Sequence, residues 1–340
     1  MEEKSRFTIR EFDPQGPNSS ADWQAIQKLL AETPLATGAD ISIFRAGDYH
    51  QAFPTLHSHP RRILLAETAG TVIGILGFEI QNIWHNQQTS RSLYLADGRI
   101  RRDFQGRGVI GELLEYLKPI AKQENISHGY FLVTENNNSI LRLLQKWKSM
   151  KIEKMTNSRF LVGAVLLPPP AQTEKFVPFT PDTRAFKRYC EKLSACFWAP
   201  QYEISKFESL AKNNSTLTFF ADPRSPNEIA FALWDQHSFK KISKKFTAKE
   251  SILRKAWNFA APLLKAPLFP ESEQAWRQME ICFVDPSLVK DERIPSFAYS
   301  WAHKHKSHFI SFYSLQHLGR GFYKTGFLGS QLKWNTGIDF

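Results

Sequence analysis

Apolar and polar positions along the 340 residues of the chain fall into two alternating periods. Phe7-Thr-Ile-Arg-Glu-Phe12 alternates residue by residue and stops at Asp13-Pro14, which predicts a half-buried strand. Ser20 is placed to cap a helix over about 22–32, with Trp23, Ile26, Leu29 and Leu30 on one face. A second helical stretch is expected around 48–56, interrupted by Pro54. Two apolar runs, 63–67 and 72–80, flank Ala69-Gly70 and predict a hairpin. The next strand is expected at 92–100, followed by a helix carrying Val109, Ile110, Leu113, Leu114, Leu117 and Ile120, with a kink at Pro119. Further strands are expected at 130–134 and 160–167, with a short helix at 139–147 between them, capped from the run Asn136–Ser139.

Pro168, Pro169 and Pro170 end this first unit, and the stretch to Pro181 reads as an extended linker. The pattern then starts again. Helices are expected near 184–193 and 203–210, a hairpin from 217–221 and 228–234, and a helical insertion over about 248–265. A strand at 279–284, a helix at 296–303 and strands at 309–313 and 323–332 complete it. The boundaries read this way are 1–167, a linker at 168–182, and 183–340. The fold class expected is α/β with mixed sheets, in two similar units.

One turn carries chemistry. Gln105-Gly-Arg-Gly-Val-Ile-Gly111 sits between a strand and the start of a helix. Backbone N–H groups at a helix start have no intrahelical partner, and the helix dipole is positive there. Glycines at 106, 108 and 111 let a phosphate approach the main chain, and Arg101, Arg102 and Arg107 add positive charge. No Lys-Ser/Thr pair follows the last glycine, as a P-loop requires, and the spacing is not that of a dinucleotide-binding turn.

The segment from Tyr94 to Ile110, with Gln105 and Gly108 at the key spacing, resembles the acyl-CoA-binding motif of the GNAT superfamily of N-acetyltransferases. That pattern is Arg or Gln, two residues, Gly, any residue, then Gly or Ala. Here Ile110 takes the last place and Gly111 follows. The element order over about residues 5–167 is also that of the superfamily, and the second half resembles a degenerate copy of it. Asp285-Pro-Ser-Leu-Val-Lys-Asp-Glu-Arg-Ile, where a second phosphate turn would fall, contains no glycine. The later Gly319-Arg-Gly321 reads as a turn.

The resemblance implies an acyl-CoA-dependent N-acyltransferase using acetyl-CoA as donor, without a metal, acting on a small-molecule, peptide or protein amine. Main chain at Gly98, Arg99 and Ile100 would hold the pantetheine arm. Residues Gln105, Gly106, Arg107, Gly108, Val109, Ile110 and Gly111 would hold the diphosphate, with Asn138 nearby. The candidate bases are Asp97 and Glu79, carboxylates on the strands lining the cleft. Strand alternation sets Asp97 opposite Ala96, which leaves Asp97 open to a structural pairing with Arg99 or Arg101. The superfamily's usual acid is a tyrosine in the helix after the second splayed strand; 139–147 has none, and Tyr130 or a water would substitute.

Composition narrows this reading only a little. Cys190, Cys196 and Cys282 form no CxxC pair, the first residues lack an apolar signal core, and no run is long enough to span a membrane, so a cytoplasmic location is expected. Net charge is +11, and the basic excess lies mostly after residue 167, in Lys240, Lys241, Lys244, Lys245, Lys249, Arg254 and Lys255. Such a stripe suits nucleic acid, anionic lipid, an acidic substrate, or water alone. His50, His57 and His59 fall where an acceptor pocket would be shaped, while His303, His305 and His308 are interleaved with lysines as on a solvated basic surface. A non-catalytic CoA-binding scaffold and a nucleic-acid-associated protein stand as the alternative functions.

Overall fold

The computed structural model describes residues 7–33, 35–36, 41–45, 61–131, 133–134, 158–165, 169, 176–196, 198–213, 216–237, 240–315, 329–335 and 338–339. The expected helices at 48–56 and 139–147, Asn138, the turn at 319–321 and the histidines 50, 57 and 59 lie outside these residues.

The first sheet is built on a long hairpin. Strand β4 (Arg62–Thr68) turns at Ala69-Gly70 into β5 (Thr71–His85), and Asn86-Gln87, both with positive φ, turn β5 into β6 (Gln88–Ile100). Both strands reach farther toward that second turn than the apolar runs alone suggested. Strand β1 (Thr8–Glu11) pairs antiparallel with β4, and β7 (His128–Phe131) pairs parallel with β6. The parallel step needs a crossover, supplied by helix α2 (Val109–Gln123). Its Val109, Leu113, Leu114 and Leu117 are buried against Leu64, Leu76, Phe78, Leu93 and Leu95. The helix runs on through Pro119 to Gln123. Helix α1 (Ser19–Glu32) covers the opposite face with Ile26, Leu29 and Leu30 against Ile63, Leu65 and Ile75. Truncating Leu117 to alanine would cost about 2–5 kcal/mol, the usual range for a fully buried leucine.

The second sheet repeats this plan. Strands β10 (Val177–Phe179), β12 (Leu217–Ala221), β13 (Phe231–Asp235) and β15 (Gln278–Cys282) pair antiparallel in that order. Strand β16 (Phe309–Leu315) then adds parallel to β15 across helix α6 (Arg293–Lys304). Phe297, Ala298 and Ala302 of α6 pack on Phe220, Phe231 and Ile281. Helices α3 (Thr183–Ser194) and α4 (Ile204–Asn213) take the other face through Phe186, Tyr189, Phe207 and Leu210. Asp182 caps α3 by accepting from the Ala185 amide at 2.8 Å. Residues 177–179, read from sequence as linker, are thus the first strand of this sheet.

The halves exchange strands. Strand β9 (Ser158–Ala164) was expected to close the first unit, yet it lies in the second sheet between β16 and β17 (Gly329–Asn335). Strand β8 (Val133–Thr134) also joins that sheet at its edge by pairing with β17, whereas β18 (Ile338–Asp339) returns to the first sheet beside β7. Strand β11 (Trp198–Pro200) lies along β5. A small sheet of β2 (Leu35–Ala36), β3 (Ile41–Arg45) and β14 (Lys240–Lys244) combines segments from both halves. Backbone pairing is satisfied by whichever strand offers an edge, so the Pro-rich run at 168–170 does not separate the hydrogen-bonded units.

Candidate active site

Strand β6 reaches the site with a change of partner. Leu93, Tyr94 and Leu95 pair with Gly129, Tyr130 and Phe131 of β7. Two residues later the chain has left: Val133 and Thr134 pair with Asn335 and Trp334 in the second sheet. The two parallel strands therefore part beyond Leu95, and Ala96–Ile100 continue paired to β5. A register shift between Ile75 and Gly77 adds an extra residue to β6 at this point, and Asp97 adopts φ 51°. This bulge breaks the simple alternation that set Asp97 opposite Ala96, and re-aims the strand at the place where it separates.

A 3-10 turn (Arg102–Phe104) follows, and then Gln105 to Gly108 lead into α2. Gly106 has φ 77° and Gly108, the N-cap, φ 89°, a region that costs an L-residue energy. A Cβ on either glycine, or on Gly111, would meet nothing within 4 Å, so the front of the turn is open. The amides of Val109, Ile110 and Gly111 precede the first α-type bond, which is Glu112 N–H to Gly108 C=O at 3.1 Å. No described residue accepts from them. Gln105 Nε2 donates to Ile100 O at 3.2 Å, tying the turn to the strand end. Arg101 is held by Asp103 at 2.6 Å, whereas Arg102 and Arg107 are exposed and form no ion pair with a described residue. Arg107 lies over the Phe104 ring at 5.1 Å. The result is an open row of donors beside two cations.

The carboxylates differ. Asp97 Oδ1 lies 3.5 Å from Arg99 Nη2, and both side chains are buried. It is the structural pairing that the sequence left open. Glu79 sits on β5 across from Tyr94, which in turn faces Tyr130 on β7, so the three form a row across the strands just before they part. Glu79 is buried, and one of its oxygens, Oε1, accepts no hydrogen bond from a described residue. Burial raises its carboxyl above the ordinary value of 4.5, against the opposing pull of Arg61, whose Nη2 is 3.8 Å away, and of Lys206. A carboxyl lifted in this way suits a general base near neutral pH. The Tyr130 hydroxyl donates to Gln81 Oε1, its ring lies tilted against Tyr94 with centroids 4.9 Å apart, and burial pushes its pKa well up, so it stays protonated.

Sequence reading missed Arg61, Gln81, Tyr94, Tyr202 and Lys206 as members of this group. Glu79 and Gln81, two polar residues at alternate positions in an apolar strand, were the legible signal. Tyr202 and Lys206 come from the second half, brought in by β11 and by the Gln201 amide donating to Asn82 O at 2.9 Å. The His303–His308 cluster is not a solvated surface throughout: His308 Nδ1 accepts from the Arg277 amide at 2.9 Å, and its Nε2 lies 2.8 Å from Leu268 O. Among the described residues no group of three or more His, Cys, Asp or Glu could hold a metal.

The strand, the bulge, the glycine turn and the crossover helix all lie within one stretch that a family model matches. Residues 23–147 match the family model described as acetyltransferase (GNAT) family. The match spans 125 of the 340 residues, and over this stretch the chain resembles a GNAT domain. Over nearly the whole chain the fold resembles solved N-acyltransferases. Saccharomyces cerevisiae N-myristoyltransferase with bound myristoyl-CoA superposes with TM-score 0.62 at 10% identity, covering 98% of this chain and 79% of that one. A second structure of that enzyme gives TM-score 0.65 at 8% identity over 98% and 83%. A GCN5-related N-acetyltransferase from Sphaerobacter thermophilus gives 0.55 at 12% over 98% and 96%. No curated protein matches the sequence. At these identities the likeness establishes the fold alone.

Proposed function

We propose that the chain is an acyl-CoA-dependent N-acyltransferase that moves an acyl group, acetyl in the first instance, to an amine by direct attack in a ternary complex. The observation that carries this reading is the open row of unpartnered amides at 109–111, beside the stretch of β6 that runs on past β7. The diphosphate would lie on those amides with Gln105 and Arg107 beside it, and main chain at Gly98–Ile100 would pair with the pantetheine arm. Asn138 is kept as a further contact. Glu79 is the base and takes a proton from the amine nitrogen as the C–N bond forms. The C–S bond breaks, and the departing thiolate takes a proton from Tyr130 or from a water. Asp97 instead fixes Arg99 at the bulge.

We read the chain as two tandem GNAT-like units that exchange strands, the second taking 158–164 and the first 338–339. The second unit supplies Tyr202 and Lys206 to the acceptor side of the site. The three free cysteines suit a cytoplasmic enzyme. The likeness to a myristoyltransferase keeps long-chain donors in the experiment: the full chain is incubated with acetyl-, octanoyl- or myristoyl-CoA and a panel of small and peptide amines, following thiol release, with CoA binding measured by calorimetry. Failure to bind any acyl-CoA overturns the reading. Binding without release on any amine favours a CoA-binding scaffold instead.

A further inference from the structure

Helix α5 (Ala248–Ala260) is amphipathic with its faces reversed. Glu250, Arg254, Trp257 and Asn258, spaced as one helical stripe, face the protein. Glu250 pairs with Lys244 at 2.9 Å, and Arg254 donates to Phe269 O at 3.5 Å. Trp257 Nε1 donates to Pro267 O at 3.1 Å, and Asn258 exchanges two 2.8 Å hydrogen bonds with the Phe269 backbone. The opposite stripe holds the apolar side chains. Ile252 is 68% exposed, Leu253 60% and Phe259 84%, and the patch continues past the helix through Leu263 at 83%, with Leu264 and Leu268. No residue of the helix is buried. Elsewhere among the described residues the only exposed large apolar side chains are Tyr116 and Val177.

Water is a poor solvent for such a face, and a 13-residue helix has little stability of its own. It is nonetheless held rigidly in place, by the hydrogen bonds above, by a capping box between Thr247 and Glu250, and by the Trp257–Phe269–Trp276 ring stack. Lysines surround the apolar side chains: Lys245, Lys249, Lys255 and Lys265 are all exposed. The nearest acidic side chain, Glu250, is already engaged by Lys244, and Glu271 and Glu273 follow only after Leu268. Bulky apolar groups ringed by long cationic ones, in a chain of net charge +11, match the boundary between acyl chains and anionic headgroups.

We propose that α5 and the turn through Leu268 form an interfacial anchor that seats the protein on an anionic phospholipid surface without crossing it. No described helix is long and apolar enough to span a membrane. This inference does not depend on the acyl-transfer reading.

The test is co-sedimentation of the full chain with vesicles of equal parts phosphatidylglycerol and phosphatidylcholine, or of phosphatidylcholine alone. Binding is expected to the mixed vesicles and to weaken with salt. Replacing Ile252, Phe259 and Leu263 together by serine should weaken it about a hundredfold. The pair Lys249→Gln and Lys255→Gln should weaken it about tenfold. All these side chains are exposed, so both variants should melt with the wild type. Three results would overturn the anchor: no binding to anionic vesicles, binding that both variants retain in full, or a dimer in sedimentation velocity that the triple serine variant dissociates.

Discussion

The strand-to-helix turns of the two halves, Arg101–Gly108 and Asp285–Glu292, share one backbone plan and carry opposite chemistry. Each begins with an amide donating back across the sheet at 2.8 Å, Arg101 to Ile73 O and Asp285 to Ala230 O. Each continues as a single 3-10 turn, Arg102–Phe104 or Pro286–Leu288, followed by four residues and a helix. In the first, glycines leave the donors bare. In the second, Lys290 and Glu292 take the places of Gly106 and Gly108, and Glu292 is αR at φ −64° where Gly108 is left-handed. Pro295, at the place of Gly111, removes a donor outright. The remaining donors already have partners: Asp285 accepts from Ser287 N at 2.8 Å and pairs with Lys192 at 2.6 Å, the Asp291 carboxylate accepts from Arg293 N at 2.9 Å, and its carbonyl accepts from Ile294 N at 3.2 Å. Both turns present helix-start donors, and in the second the protein's own carboxylates take them up.

The comparison extends to the proposed base. Gln236, whose amide donates to Gln278 O at 3.3 Å, occupies in the second sheet the place of Glu79 in the first. Glu79→Gln therefore writes the second half's residue into the first, and kcat should fall about a hundredfold or more with CoA affinity unchanged. An unchanged kcat would remove Glu79 from the chemistry. The wild-type rate should also drop as pH falls through the raised Glu79 value, so the acid limb of kcat/KM lies above 4.5 and disappears in the variant. The stability sign is opposite to that of a paired carboxylate. A folded value above the unfolded one contributes stability at acid pH that is lost as pH rises through the folded value. Glu79→Gln should therefore melt no lower than wild type at neutral pH, as measured by calorimetric scans across pH.

Gly108→Glu makes the equivalent exchange in the turn. It adds a negative charge and a strained left-handed residue, and CoA affinity measured by titration calorimetry should fall about a hundredfold. Space is open there, so the fold should lose only about 1 kcal/mol. Asp285→Ala empties the occupied turn instead. It should cost about 1–3 kcal/mol in denaturant unfolding and leave CoA binding untouched, because Lys192 loses a partner and Ser287 its acceptor. The smallest contrast lies at helix starts: Asp182→Ala should cost about 1 kcal/mol, and Asn18→Ala a few tenths at most, since Asn18 makes no capping hydrogen bond.

Much of this was legible along the chain, because strand and helix periods and the chemistry of a glycine turn are local. The hairpin at 62–85, the helix from 109 and the cradle at 105–111 each depend on residues within a few positions of one another. The pairing of Asp97 with Arg99 was one of the readings its neighbours left open. Strand exchange was not legible. Ser158–Ala164 reads as a strand for either sheet, and which edge it joins depends on residues more than a hundred positions away. The reversed face of α5 was hidden for a similar reason, since its apolar residues suggest a core until Phe269 and Lys244 are seen to hold the polar stripe.

Local pattern alone was enough to name the class of fold and to single out the glycine turn proposed to hold the cofactor, because glycine conformations and side-chain periodicity follow from neighbouring residues. The partners that complete the site came from assembly. Glu79 acquires its raised carboxyl only from burial in the packed sheet, against the pull of Arg61 and of Lys206 of the second half, and β6 runs on without a parallel partner because the chain after β7 continues as β8 in another sheet. Burial and strand choice are properties of the packed whole, set by contacts between segments far apart in the chain.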